Sequence, residues 1–239
     1  DLVNPTTVDY SITGGTTTGS GTDYTLATGT VTFPVGVTTG SFDITINDDA
    51  LCENNETIII TLSDPTNCNI DGVTPFGGTG FISHTYTIID NDTPPIMQFN
   101  TISSSGLESV SPISFQVDLD VVSGVDASAT YTLSGTAMGS GTDYTLASGT
   151  LTIPANNTST TIIVTINDDN LEELGETIIL SLSVPVNTTL GTNTIYTYTI
   201  IDNDELGHLG PGGIGNASNN KLWVKSDDLT IIADGSDVT

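Results

Sequence analysis

The sequence predicts an all-β chain of two tandem antiparallel β-sandwiches of the immunoglobulin-like kind, and three observations carry that prediction. Thr supplies about one residue in six and Gly 25 of the 239, while strong helix formers are scarce, a balance that favours short strands and turns. Short runs of alternating apolar and polar residues lie between Gly, Asn and Pro turns, the pattern of an antiparallel sandwich. The chain also repeats itself. Gly21-Thr22-Asp23-Tyr24-Thr25-Leu26 returns as Gly141-Thr142-Asp143-Tyr144-Thr145-Leu146, and Thr45-Ile46-Asn47-Asp48-Asp49 as Thr165-Ile166-Asn167-Asp168-Asp169, both 120 residues later.

The repeat divides the chain into a first domain over 1–93, a second over 94–205, and a remainder over 206–239. In the second copy alternation predicts strands at 149–154, 160–166, 177–182 and 194–201, with counterparts in the first. A third match, Thr85-Tyr86-Thr87-Ile88-Ile89-Asp90-Asn91-Asp92 against Thr197-Tyr198-Thr199-Ile200-Ile201-Asp202-Asn203-Asp204, is offset by 112, so the first copy carries eight more residues between Ser63 and Phe81. A longer surface loop over 69–80 is the expectation. The first copy also has no counterpart of 96–120, so its opening strands are expected upstream of residue 1 or from elsewhere; without them a sheet edge is exposed. Past Asp204 the composition changes. A Gly-rich linker over 209–215 leads to both Lys residues and the one Trp, which predicts a third module starting near Lys221 and makes the chain read as a segment of something longer.

Charge narrows the function. The chain holds 29 Asp and Glu against 2 Lys and Arg, a net charge of -27, which excludes a nucleic-acid binder because phosphates are neutralised by clustered Lys and Arg. Mean hydropathy is +0.09, so the acidity does not imply disorder. No apolar run reaches the roughly 18 residues of a membrane helix, and Asp1-Leu2-Val3-Asn4-Pro5 is unlike a signal peptide.

Strand parity places the acids. Asp143 precedes a strand that leaves one end of the sandwich, and the returning strand finishes at Asp168-Asp169. Glu173 and Glu176 open a strand leaving the same end, the last strand returns to Asp202 and Asp204, and counting backward brings Glu108 there as well. The first copy repeats this with Asp23, Asp48, Asp49, Glu53, Glu56, Asp90 and Asp92. Two like charges about 4 Å apart repel by roughly 1 kcal/mol even in bulk water, and by more near a protein surface. Such clusters need cations. All-oxygen ligands on loops suit Ca²⁺, which takes 6 to 8 oxygens in irregular geometry, better than octahedral Mg²⁺. The cluster charge predicts more than one ion per domain. Asp and Asn also decorate loops for their turn chemistry alone, but recurrence at one spacing in both copies and convergence on one end favour a metal site.

These motifs, Gly-Thr-Asp-Tyr, then Asp-Asp followed by Glu-x-x-Glu, then a closing Ile-Ile-Asp-Asn-Asp, resemble the Calx-β domain, the calcium-binding β-sandwich of sodium/calcium exchangers and integrin β4, over roughly 1–204. The resemblance implies calcium ligands at Asp48, Asp49, Glu53, Glu56, Asp90 and Asp92, with Asp23, and at their partners in the second copy. The chain departs from the family pattern at three places. Ala50 and Asn170 stand where a third Asp is common, Asn91 and Asn203 replace the middle acid of the closing triplet, and the first copy has no match for Glu108. The first copy is therefore expected to bind fewer ions or to bind them more weakly. The stretch Gly210-Pro211-Gly212-Gly213-Ile214-Gly215 through Leu222-Trp223-Val224-Lys225 to Asp234-Gly235 resembles the start of concanavalin-like (laminin-G-type) modules in large surface proteins of gliding bacteria.

The remaining reactive residues imply no enzyme. Cys52 is expected at the acid end and Cys68 at the other, about 26 Å away by strand length against a 7 Å limit for a disulfide, so pairing requires the inserted loop to fold back. His84 and His208 lack a nucleophile at matching spacing in both copies. A glycosidase needs an apolar cleft with aromatics, which are 6% of this chain. Parity also makes the domains run head to tail across Thr93-Pro94-Pro95, with the first cluster at their junction. The function expected is an extracellular, secreted stalk segment stiffened by calcium, carrying a terminal module that engages surface glycans or proteins. The alternatives are a regulatory calcium-sensor pair and a glycan- or protein-binding module.

Overall fold

The computed structural model describes residues 3–19, 21–68 and 82–204, and every regular element in them is a strand. The longer inserted loop and the tail module fall outside the described residues, as do His208 and the whole of 206–239. The first half contains β1 (Thr6–Gly15), β2 (Tyr24–Thr25), β3 (Gly29–Phe33), β4 (Thr45–Ile46), β5 (Glu56–Thr66) and β6 (Ser83–Ile88). The second contains β7 (Ile96–Phe99), β8 (Ser103–Leu107), β9 (Ile113–Leu119), β10 (Ala127–Gly135), β11 (Tyr144–Thr145), β12 (Gly149–Ile153), β13 (Ser159–Ile166), β14 (Glu176–Val186), β15 (Thr189–Leu190) and β16 (Ile195–Ile201).

In the second half two five-stranded sheets, ordered β12-β10-β14-β16-β8 and β11-β13-β9-β7-β15, face each other. The period-2 pattern decides which residues go inside. Phe115, Val117 and Leu119 of β9 and Ile162, Val164 and Ile166 of β13 meet Ile178, Leu180 and Leu182 of β14 and Tyr196, Tyr198 and Ile200 of β16. Phe115 sits at the centre, 1% exposed, with its ring centroid 4.8 Å from that of Tyr196 and 5.8 Å from that of Tyr198. This is the all-β sandwich the alternation predicts.

One feature of the prediction needs correcting: the sheets are mixed. β8 runs parallel to β16, and β15 parallel to β7. The cause lies in the opening strand, which changes sheets partway. β7 pairs antiparallel with β9, the chain then crosses at 100–102, and β8 continues along the outer edge of β16 in the opposite sheet. Ser103-Ser104-Ser105-Gly106 gives no alternation to read. Gly106 has a packing reason: the Tyr198 hydroxyl lies against its Cα, and a Cβ there collides with it.

The first half repeats part of this plan. β3-β1-β5-β6 form one sheet and β2-β4 a short second one. Its core is smaller, built on Tyr24, Ile58 and Ile60, with Tyr10 stacked on Phe42 at 3.9 Å. Among the described residues β6 is the last strand of its sheet.

Each half carries a strained residue at one place late in its longest strand, Asp64 with φ 48° and Val184 with φ 48°. Left-handed backbone suits Asp far better than a β-branched side chain. Val184 is 67% exposed, so replacing it forfeits little burial. Val184→Asn is expected to stabilise the second half by about 1 kcal/mol. A urea melt with an unchanged or lower midpoint contradicts this reading of Val184.

Candidate metal centre

The acids occupy the ends of strands that reach one end of each half. In the second half Glu108 follows β8, Asp143 precedes β11, Asp168 and Asp169 follow β13, Glu173 and Glu176 lead into β14, and Asp202 and Asp204 follow β16. Six of the eight form two triads. Oxygens of Glu108, Asp202 and Asp204 lie within 4.8 Å of one another, as do oxygens of Asp143, Glu173 and Glu176. Asp168 sits beside the first triad, where its Oδ1 accepts from Asn203 Nδ2 at 3.3 Å and its charge acts on Glu108. Asp169 sits beside the second, acting on Glu173 while its Oδ1 takes the Leu171 N–H at 2.7 Å.

Backbone donors fix the carboxylates. Asp202 Oδ1 accepts the Asp204 N–H at 2.8 Å and its Oδ2 the Glu173 N–H at 2.8 Å. These bonds hold the Asp202 carboxyl below the usual range. Asp202 thereby ties the closing turn to the loop of the other triad. Asp143 takes the Met138 N–H in a short bond.

The glutamates go the other way. Burial first, then a shared hydrogen bond with Asp204 and the charges of Asp202 and Asp204, push Glu108 up to about 7. Burial, the hydrogen bond with Asp143, and the charges of Asp143 and Glu173 push Glu176 up to about 7 as well. Glu108 is only 4% exposed, and its Oε1 and the Oδ2 of Asp204 are both buried with no donor from the rest of the described residues. Two buried acceptors aimed into one triad need a proton or a cation between them. The donor set is all oxygen, on loops of irregular geometry, which fits Ca²⁺.

In the first half all seven acids singled out from the sequence, Asp23, Asp48, Asp49, Glu53, Glu56, Asp90 and Asp92, line one cleft of about 80 Å³. Burial, then the charge of Asp23 and a hydrogen bond with it, push Glu56 up to about 7, and burial with Asp49 nearby raises Glu53. Asp90 repeats the clasp of Asp202, taking the Glu53 N–H at 3.2 Å and the Asp92 N–H at 3.4 Å. These bonds are longer than in the second half. Among the described residues, the triads with oxygens within 4.8 Å both belong to the second half.

Sequence reasoning missed two features of the site. Asn203 is a cross-brace: its Oδ1 accepts the Ser109 N–H at 3.1 Å while its Nδ2 donates to Asp168, a task that needs an amide with both a donor and an acceptor. The other is the junction. Cys52 O accepts from Gly124 N at 3.1 Å and from the nearly fully buried Ser123 Oγ at 3.3 Å, so the turn between β9 and β10 rests on the acid loop of the first half. A Cβ on Gly124 would come within 2.5 Å of Glu53 Oε1. Cys52 and Cys68 are both free thiols.

The Calx-beta domain matches the chain twice, over residues 1–92 and 90–204. Sodium/calcium exchanger 1 of Canis lupus familiaris and of Rattus norvegicus are each 28% identical over 196 residues, covering 77% of this chain, which spans 20% of their length. Among solved structures, the apo-form Calx CBD1 domain aligns with 47% of this chain and 100% of its own at 24% identity and a TM-score of 0.44. The calcium binding domain CBD12 of CALX1.1 aligns with 84% of this chain and 89% of its own at 22% identity and a TM-score of 0.38.

Proposed function

The chain belongs to the Calx-beta domain family through both of its halves, and from that premise we propose that it is a calcium-binding tandem in an extracellular stalk, where ions at the domain ends stiffen a head-to-tail array. The observation that carries this reading is the junction. The loop holding Glu53 in the first acidic cleft is the loop that receives Ser123 and Gly124 of the second half. An ion held by Glu53 and its neighbours restrains that loop, and so restrains the contact. Two prolines in Thr93-Pro94-Pro95 limit bending further. All fifteen acids named from the sequence are the proposed ligands: Asp23, Asp48, Asp49, Glu53, Glu56, Asp90 and Asp92 at the first end, with Glu108, Asp143, Asp168, Asp169, Glu173, Glu176, Asp202 and Asp204 at the second. Affinities of extracellular modules, with Kd on the order of 10⁻⁴ to 10⁻³ M, are matched by millimolar external calcium. Surface glycans or proteins, engaged through a neighbouring module, are the partners that this reading implies.

The similarity to sodium/calcium exchangers, which spans both halves, favours a second reading as a regulatory calcium-sensor pair. Small-angle scattering separates the two. A stalk lengthens and narrows its distance distribution when millimolar calcium replaces chelator. A distribution that does not change, with affinity near micromolar, overturns the stalk and leaves the sensor.

A further inference from the structure

The two acid ends are built on the same loops with different tips. Thr18 and Met138 hold one position, each donating its N–H to the aspartate five residues on, Asp23 and Asp143. Leu51 and Leu171 hold another, each donating its N–H to the aspartate two residues before it, Asp49 and Asp169. Three residues further along stand Asn54 and Leu174. The first end is thus tipped by polar Thr18 and Asn54 beside a half-buried Leu51, and this is the end that receives Ser123 and Gly124. The second end is tipped by Met138, Leu171 and Leu174, which are 64%, 64% and 89% exposed. Val110, next to the Ser109 N–H that Asn203 accepts, adds a fourth apolar side chain at 53%. None of the four belongs to the buried core or to the partly buried residues packed against it. They come from three separate loops, after β8, after β10 and before β14, and each of those loops also carries acids of the second cluster.

Charge decides what such an end can meet. Among the described residues there is no Lys or Arg, since Lys221 and Lys225 both lie in 206–239. Bare, the eight carboxylates of the second end repel an anionic surface. Glu108, buried with no donor to its Oε1 from the rest of the described residues, calls for a cation at this end. Loaded with divalent cations, the end loses that repulsion, and its outermost side chains are apolar. We propose that the acid end of the second half, in its calcium-loaded form, docks on a bilayer containing anionic phospholipid, with Met138, Leu171 and Leu174 entering the boundary between headgroups and acyl chains. Anionic headgroups supply the negative charge that the cations attract, and each apolar side chain buried at the boundary adds to the hold. The first end docks protein through the Cys52 carbonyl with polar tips, whereas the second has apolar residues at the same two positions, so membrane docking is confined to the second. This inference rests on the calcium reading of the second cluster.

The test sediments the full chain with phosphatidylcholine vesicles, with and without phosphatidylserine, in chelator and in millimolar calcium, and follows calcium uptake in parallel by calorimetry. Binding that requires both phosphatidylserine and calcium is expected. Leu174→Asn and Met138→Thr, which give the second end the residues of the first, should each weaken vesicle binding by about tenfold and leave calcium uptake unchanged. Calcium uptake without vesicle binding overturns the docking and leaves the calcium sites standing. Equal binding to phosphatidylcholine alone, or binding that both variants leave at full strength, also overturns it. Calcium-dependent self-association in the absence of vesicles, lost in the same variants, overturns it in favour of a contact between two copies of the chain. If the chain takes up no calcium at all, the calcium reading and the docking fall together.

Discussion

Phe115→Ala is expected to destabilise the second half by about 3–5 kcal/mol, enough to unfold most of it in mild denaturant while the first half keeps its fold. Phe115 joins the sheets: its ring meets Tyr196 and Tyr198 of the opposite sheet, and Ile162 and Val164 belong to the same buried cluster. Truncation leaves a cavity that residues on two stiff five-stranded sheets are poorly placed to fill. The core of the first half, around Tyr24, Ile58 and Ile60, is a separate cluster. A urea titration followed by amide spectra checks both parts, with early loss of β9, β13, β14 and β16 and persistence of β1 and β5. Simultaneous loss of both halves at a single lowered midpoint means that they fold as one unit.

Removing calcium is the second large effect. A ligand that binds only the folded chain stabilises it by about 2.7 kcal/mol at a hundredfold excess over Kd, and two such ions in one domain by about twice that. For domains of this size the loss corresponds to a melting temperature lower by on the order of 10 °C or more. The geometry adds a reason beyond mass action. Without ions, the acids of each cluster face one another, and the buried oxygens of Glu108 and Asp204 have no donor from the rest of the described residues. Melting the chain in chelator and in millimolar calcium reads this directly, and equal melting temperatures contradict it.

Much of this was legible in the sequence for identifiable reasons. Alternation of side chains across a strand is geometric, so β12, β13, β14 and β16 could be placed from the sequence. Reversal of direction at each turn brings Asp143, Asp169 and Asp204 to one end, which strand order alone reveals. What stayed hidden depends on tertiary distances. The switch of the opening strand between sheets leaves no periodic trace, because Ser103 to Gly106 are small and uniform. The division of the eight acids into two groups turns on where adjacent residues point: Asp168 sits beside one triad and Asp169 beside the other. Asn203, which a motif comparison counts as a lost acid, is a brace whose value shows only once Ser109 and Asp168 are beside it. The resting of Ser123 and Gly124 on Cys52 joins residues 71 and 72 positions apart and has no local signature.

The central claim is that the two acid clusters are calcium sites of unequal strength, and a calorimetric calcium titration of the metal-stripped chain tests it most directly. Two classes of site are expected, the tighter one in the second half. Glu108→Gln should weaken that class by about tenfold or more, because it removes one charge from the ligand set, and it should leave the class from the first half unchanged. No heat and no bound calcium up to millimolar concentrations, or a Glu108→Gln chain indistinguishable from the parent, contradicts the account.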